Sequence, residues 1–331
     1  MGINRLLKYK IGNHIMIFLF ILSILSFGCR PDTIPDDYDL HGVLLFEEIL
    51  SNQTRGNFPD LVAFNPQTEE RFVLTRETLY NVHPSWVAGG DSIIFESKRE
   101  QDHGAPSHLY VLNTRNSRIT PLQEGMNLDR MSGGHIQYRR PAVNNQTNSV
   151  YYYGLDCKCL LSIGIHDKSV DTVGVTAETA SNIFWSNDSQ YLVVQDRIGS
   201  GMRRHVVFTV YKFGNYTPEL LMNKENWNFH PGDLYEGKLI YTTHKGEAGS
   251  IVYLKTHDMR TGEEKEIGSY DRSTTELRNF ISPVFKDEHN IYYLKETSSN
   301  IYEIFEKHIE SGQIRQITND NKLKTSLTIY R

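Results

Sequence analysis

Pro84-Ser85-Trp86-Val87-Ala88-Gly89-Gly90-Asp91-Ser92-Ile93-Ile94-Phe95 is the stretch that decides the fold of this 331-residue chain. An extended run ending in an aromatic meets a Gly-Gly-Asp turn, and a β-branched and aromatic run follows. That order marks a hairpin. Downstream come Leu109-Tyr110-Val111-Leu112-Asn113, a polar turn, and Arg118-Ile119-Thr120. The unit therefore reads as four short strands joined by three antiparallel connections.

The same order recurs along the chain. Second strands are expected at Val43–Phe46, Ile93–Phe95, Val150–Tyr152, Tyr191–Val193, Leu239–Tyr241 and Ile291–Tyr293. Third and fourth strands follow each of them, and from residue 42 onward no long stretch of helical periodicity appears. A four-strand unit returning at roughly 40–50 residues is the spacing of propeller blades. First strands are expected at His83–Trp86, Arg140–Val143, Ile183–Trp185, around Asn228–His230, and at Ile281–Phe285. The opening unit lacks one, and Thr325–Tyr330 is left over at the end. Pairing that last strand with the opening unit closes a ring and removes two exposed sheet edges. The expected fold is all-β: a six-bladed β-propeller of four-stranded antiparallel blades over residues 42–331, closed by the C-terminal strand.

Pro84-Ser85-Trp86 with Asp91–Ser97, and Phe184-Trp185-Ser186-Asn187-Asp188-Ser189-Gln190-Tyr191, resemble the TolB-type repeat. There an aromatic–Ser–Pro–Asp–Gly–Lys turn precedes an apolar strand. This sequence lacks the turn glycine after Asp91 and after Asp188. The resemblance implies the propeller fold over about residues 42–331. It implies no single activity, because one fold hosts many.

The first 28 residues carry Arg5, Lys8 and Lys10, then an apolar run from Ile15 to Phe27, the pattern of a secretory signal. The run is shorter than the roughly 20 residues that cross a bilayer. Leu25-Ser26-Phe27-Gly28-Cys29 resembles the lipobox of bacterial lipoproteins, which implies a lipid on Cys29 and an address in the bacterial cell envelope, on the periplasmic or the cell-surface side. Residues 29–41, rich in Asp and Pro, read as a lipidated, solvated tether.

With 35 Lys+Arg against 40 Asp+Glu, the net charge of −5 argues against a nucleic-acid binder, which needs a dense cationic footprint. Connections into first strands share a face with the second-to-third connections, and that face carries the longer loops. Ligand sites favour such loops on a rigid scaffold. His83, Arg139, Arg140, His230 and Arg278 are expected to ring the channel mouth there, where guanidinium groups match carboxylates. No metal is expected, since His83, His135 and His230 lie on different units without metal-ligand spacing. Cys157-Lys158-Cys159 reads as an oxidised turn or as two unpaired thiols. Trp86 and Trp185 read as packing residues, and Trp227 as freer to meet a ligand. No nucleophile elbow, phosphate loop or calcium loop is present, so no catalytic residue and no cofactor is expected. The expected function is therefore non-catalytic. A propeller that is monomeric by itself would bind or scaffold an envelope protein or an acidic glycan. The alternative is a lyase or hydrolase of acidic oligosaccharides.

Overall fold

A computed structural model of the chain describes residues 31–49, 58–76, 79–97, 108–122, 141–154, 158–176, 180, 182–199, 205–246, 251–271 and 279–331. Blade 1 contains β1 (Leu44–Ile49), β2 (Pro59–Phe64) and β3 (Arg71–Val73), and blade 2 contains β4 (Asn81–Trp86), β5 (Ser92–Ser97), β6 (His108–Asn113) and β7 (Ile119–Pro121). Blade 3 is β8 (Ala142–Asn144), β9 (Ser149–Gly154), β10 (Cys159–Gly164) and β11 (Val170–Thr176). Blade 4 is β12 (Asn182–Trp185), β13 (Tyr191–Ile198), β14 (His205–Lys212) and β15 (Pro218–Met222). Blade 5 is β16 (Trp227–Tyr235), β17 (Lys238–Lys245), β18 (Ile251–Asp258) and β19 (Glu264–Asp271). Blade 6 is β20 (Ile281–Phe285), β21 (Asn290–Ser298), β22 (Ile301–His308) and β23 (Ile314–Gln316). The last strand, β24 (Leu323–Ile329), pairs antiparallel with β1, so blade 1 runs β24-β1-β2-β3. The molecule is a six-bladed propeller closed by its C-terminal strand.

Each blade is sandwiched between two others, so its central strands are buried on both faces and read as unbroken apolar runs. Alternation then assigns successive residues to different junctions. Leu44 and Phe46 pack toward blade 6 with Tyr292 and Ile304, while Val43 and Leu45 pack toward blade 2 with Trp86 and Phe95. Tyr151 and Tyr153 serve the junction with blade 4, and Tyr152 serves the junction with blade 2. Among the described residues a cluster of this kind fills each of the six junctions. The tyrosine run is core, as its alternation implies.

The turns between third and fourth strands share one geometry. The fifth residue adopts a left-handed conformation in every blade: Glu69, Ser117, Lys168, Tyr216, Gly262 and Gly312, with φ from 51° to 73°. Asn65, Asn113 and Asp258 begin three of these turns, and each side-chain oxygen accepts two backbone N–H groups. In the turn of blade 4 that resembles the TolB-type motif, Ser189 takes φ 56° in place of the missing glycine. Ser186 donates to Asp188 at 2.6 Å there, and Asp188 accepts the Gln190 N–H.

Ring closure adds buried charge to the strand ladder. Lys324 of β24 has no solvent exposure, and its Nζ lies 2.9 Å from Glu303 Oε2 of β22 and against Asp320. Glu303 also accepts the Thr318 hydroxyl at 2.5 Å and the Asn321 N–H at 2.7 Å. Glu48 of β1, equally buried, pairs with Arg71 of β3 and at 2.9 Å with Lys322. One network therefore fastens the last strand to blade 6, and the other ties its lead-in to blade 1.

The segment before the first blade departs from the expectation of a solvated tether. Residues 31–42 lie along the cleft between blades 1 and 2. Asp32 N–H donates to Val73 O at 2.8 Å, and Asp32 Oδ2 accepts Val73 N–H at 2.7 Å. Ile34 N–H donates to Thr114 O, and the Ile34 side chain is 1% exposed. Leu40 is buried beside Gly90 and Tyr330, and Tyr38 meets Phe72 edge-on. Apolar residues set singly among Asp and Pro make no pattern in the sequence, yet each fills a slot at this junction.

Candidate functional site

The six inner strands, β24, β4, β8, β12, β16 and β20, surround an axial channel. Pro84, Pro231 and Pro283 lie within these strands and Pro141 just ahead of β8. An inner strand has a neighbour on one edge only, so the missing N–H of proline costs no ladder bond. Register shifts interrupt β4 between Val82 and Ser85, β16 between Pro231 and Asp233, and β20 between Ile281 and Val284. The β1–β24 ladder shifts as well. His83, Ser282 and Ser326 take left-handed φ at these bulges, and Gly232 marks the fourth. Bulges re-aim side chains, and here they aim them at the channel.

The channel holds two chambers that both touch Asn182, Gly232 and Leu327. The one of ≈ 170 Å³ runs toward the tight-turn face, past His83, Trp86, Trp185 and Asn187. Arg331 spans its far end. The guanidinium reaches the Asp233 carboxylate and the Phe285 carbonyl and sits 4.9 Å over the Tyr235 ring. The other, ≈ 310 Å³, opens toward the loop-bearing face over blades 4 to 6. Its polar lining is Asn182, Gln195, His230, Thr242, Asn279 and Ser282, with Tyr270 and Phe280 as aromatic wall. Phe280 is held in a left-handed conformation, φ 56°, with its ring 5.0 Å from that of Tyr293 and against Gly268, where a Cβ would lie 2.7 Å from the ring. Strain of this kind persists only where surroundings fix it.

On the side of blades 1 and 2, His83 sits between two buried carboxylates. Its backbone N–H donates to Glu47 at 2.7 Å, and its Nδ1 lies 3.1 Å from Glu96 Oε2. Glu47 also accepts the Thr325 hydroxyl at 2.6 Å, which ties β24 to the same group. The nearby Tyr80 phenol is pushed above its ordinary range by burial, then by the charges of Glu47 and Glu96. The neighbouring acids were missed in the sequence because Glu47-Glu48 ends an apolar strand and its partners are far along the chain.

His83 lines the chamber toward the turns and His230 the chamber toward the loops. His230 stacks on His244, ring centroids 5.6 Å apart. Arg139, Arg140, Arg278, His135, Cys157 and Cys29 lie outside the described residues. Cys159 is disulfide-bonded. No group of three or more His, Cys, Asp or Glu among the described residues is placed to hold a metal ion. Trp227 is not the free ring expected of it: it stacks on Phe229 at 6.5 Å under the Lys224 ammonium.

No family model matches the sequence, and no curated protein does. Solved structures do. TolB from Acinetobacter baumannii superposes with a TM-score of 0.64 over 88% of this chain and 67% of that one, at 12% identity. This chain folds as a TolB-like six-bladed propeller. A chain of a nidogen/laminin complex matches with a TM-score of 0.58 at 10% identity, covering 87% of this chain and 98% of that one. Hydrazine synthase of Kuenenia stuttgartiensis matches at 0.58 and 10% identity, over 88% of this chain and 46% of that one. At such identities the likeness shows the fold alone, which is found in binding proteins and enzymes alike.

Proposed function

We propose that this is a non-catalytic binding propeller of the bacterial envelope, anchored by a lipid on Cys29, which engages a protein partner through its loop-bearing face. The observation that carries the reading is the asymmetry of the channel. Toward the loops it opens as a polar chamber with hydrogen-bonding groups from three blades, while Arg331 spans the far end toward the turns. A site built from amides, hydroxyls, an imidazole and two aromatic rings suits recognition. The acid–base groups nearest the mouth are already engaged, because Glu47 holds the β4 bulge and the Thr325 hydroxyl. Arg139 and Arg140 precede β8 in sequence and Arg278 precedes β20, and these residues would add guanidinium contacts to acidic groups of the partner. The structures of TolB and of a nidogen/laminin complex are consistent with a partner of protein nature.

A photo-crosslinking residue at Asn279, on the loop-bearing mouth, is expected to trap one envelope protein in stoichiometric yield. The same residue at Glu263, on the turn face, is expected to trap none. Adducts confined to Glu263 contradict the reading. Release of unsaturated or hydrolysed oligosaccharides from an acidic glycan by the purified protein would establish the lyase or hydrolase alternative instead.

A further inference from the structure

The docked segment at residues 31–42 bears on how the molecule meets its membrane. Asp32 is held to β3 by two hydrogen bonds, Val73 supplying both partners, and its carboxylate pairs with Arg76 at 3.3 Å. The Ser117 hydroxyl donates to Asp32 O at 3.1 Å from blade 2, and Arg115 reaches the carbonyls of Ile34 and Pro35. Burial of Ile34 and Leu40 in the junction cluster then fixes both ends of the segment. The chain is therefore part of the propeller from Asp32 onward. β3 is the outermost strand of blade 1, so Asp32 marks a point on the rim of the ring.

We propose that the rim between blades 1 and 2 is the membrane-facing edge of the protein, set there by a leash too short to let the ring turn over. The proposal rests on the lipid anchor at Cys29. Two residues, Arg30 and Pro31, separate Cys29 from Asp32, and the three residue steps reach ~10 Å when fully extended. A compact body of this size is roughly 50 Å across. The ring therefore cannot stand on the rim of blades 4 and 5 while the segment stays docked. Attraction between charges is not what orients the body, because Asp36 is 93% exposed and Asp37 and Asp39 are exposed beside it. An acidic patch of this kind gains nothing from an anionic bilayer surface. Orientation comes from the leash, and both the loop-bearing face and its channel mouth stand away from the lipid for a partner to reach.

The test uses the full, lipid-bearing chain in vesicles that carry an acceptor dye on their headgroups. Donor dyes are placed at Glu70 of blade 1 and, in a second protein, at Glu219 of blade 4, both exposed positions. Energy transfer is expected to be several-fold stronger from Glu70. In Ile34→Asp the segment should detach and lengthen the leash to Leu40, so the two donors approach equal transfer while the protein still floats with the vesicles. Equal transfer from both donors in the unaltered, vesicle-bound chain overturns the orientation and leaves the anchor standing. A chain that does not float, with an unmodified Cys29 by mass, overturns the anchor and the orientation with it.

Discussion

Lys324→Ala should cost about 3–5 kcal/mol of stability, because it removes the buried cation from between two acids and leaves Glu303 buried with no other charge partner among the described residues. For a body of this size that is a drop in Tm of about 10 °C. The loss is not a matter of one salt bridge at a surface, where the effect would be a fraction of this. Glu303 is 1% exposed, and besides Lys324 only the Thr318 hydroxyl and the Asn321 N–H bond its carboxylate among the described residues. Neutralising the acid as well, in Lys324→Met with Glu303→Gln, should recover part of the loss, since two matched neutral groups cost less than one orphaned charge.

Acid should act on the same network with a defined sign. Burial pushes the Asp320 carboxyl up, but the hydrogen bond and charge of Lys324, with Lys322 and Arg71 beyond, more than offset it, and the group is held below its ordinary 3.8. A depressed carboxyl contributes stability above its unfolded pKa, and that contribution disappears as the pH falls through the folded value. Thermal melts of the unaltered protein should therefore decline below roughly pH 4, and Lys324→Ala should show a shallower decline from its lower starting point. Equal melting temperatures for the two proteins would mean that the closing strand is not held by this charge.

Gly232→Ala is the second large effect expected. At Gly232 an added Cβ would lie 2.4 Å from the Pro283 carbonyl oxygen and 2.6 Å from Pro283 Cγ. Real Cβ atoms do not come that close, and a backbone carbonyl cannot swing aside as a flexible side chain would. β16 and β20 must separate, which opens the junction of blades 5 and 6 at the channel wall. Overpacking of this kind costs about 1–3 kcal/mol. The upper part of that range is expected here, since the nearest atom is a backbone carbonyl oxygen and the others belong to a proline ring that cannot rotate away. Partner binding should weaken in the same variant, because Gly232, Pro283 and Ser282 line the loop-side chamber. Gly89→Ala is the control: its added Cβ meets nothing within 4 Å, so the cost is only that of a left-handed alanine.

The strands were legible in the sequence wherever burial on two faces forced apolar residues into runs. Ile281–Phe285 coincides with β20, and the leftover Thr325–Tyr330 is displaced by only a residue or two from β24. Outer strands were harder to read. Gly268–Asp271 completes β19 without an apolar run to mark it, because this outermost strand shows apolar character only at Ile267 and Tyr270. The turns hid their repeat for a different reason. Six turns share a left-handed fifth residue, but only Gly262 and Gly312 declare it, and Glu69, Ser117, Lys168 and Tyr216 adopt it under the constraint of the paired strands. The site was half legible. His83 and His230 could be placed at the channel from their position at inner strands. Glu47, Glu96 and the Arg331–Asp233 contact could not, because their meaning depends on pairings up to 278 residues apart.

Everything said about the channel presumes that the ring is shut by its last strand. Native-state amide hydrogen exchange reads this directly. The amides of β24 that pair with β1 should exchange only through global unfolding, at the rate of Ile93–Phe95 in the middle of blade 2. Exchange of β24 that is orders of magnitude faster than that of blade 2, in a protein otherwise intact, would show an open ring and contradict the account.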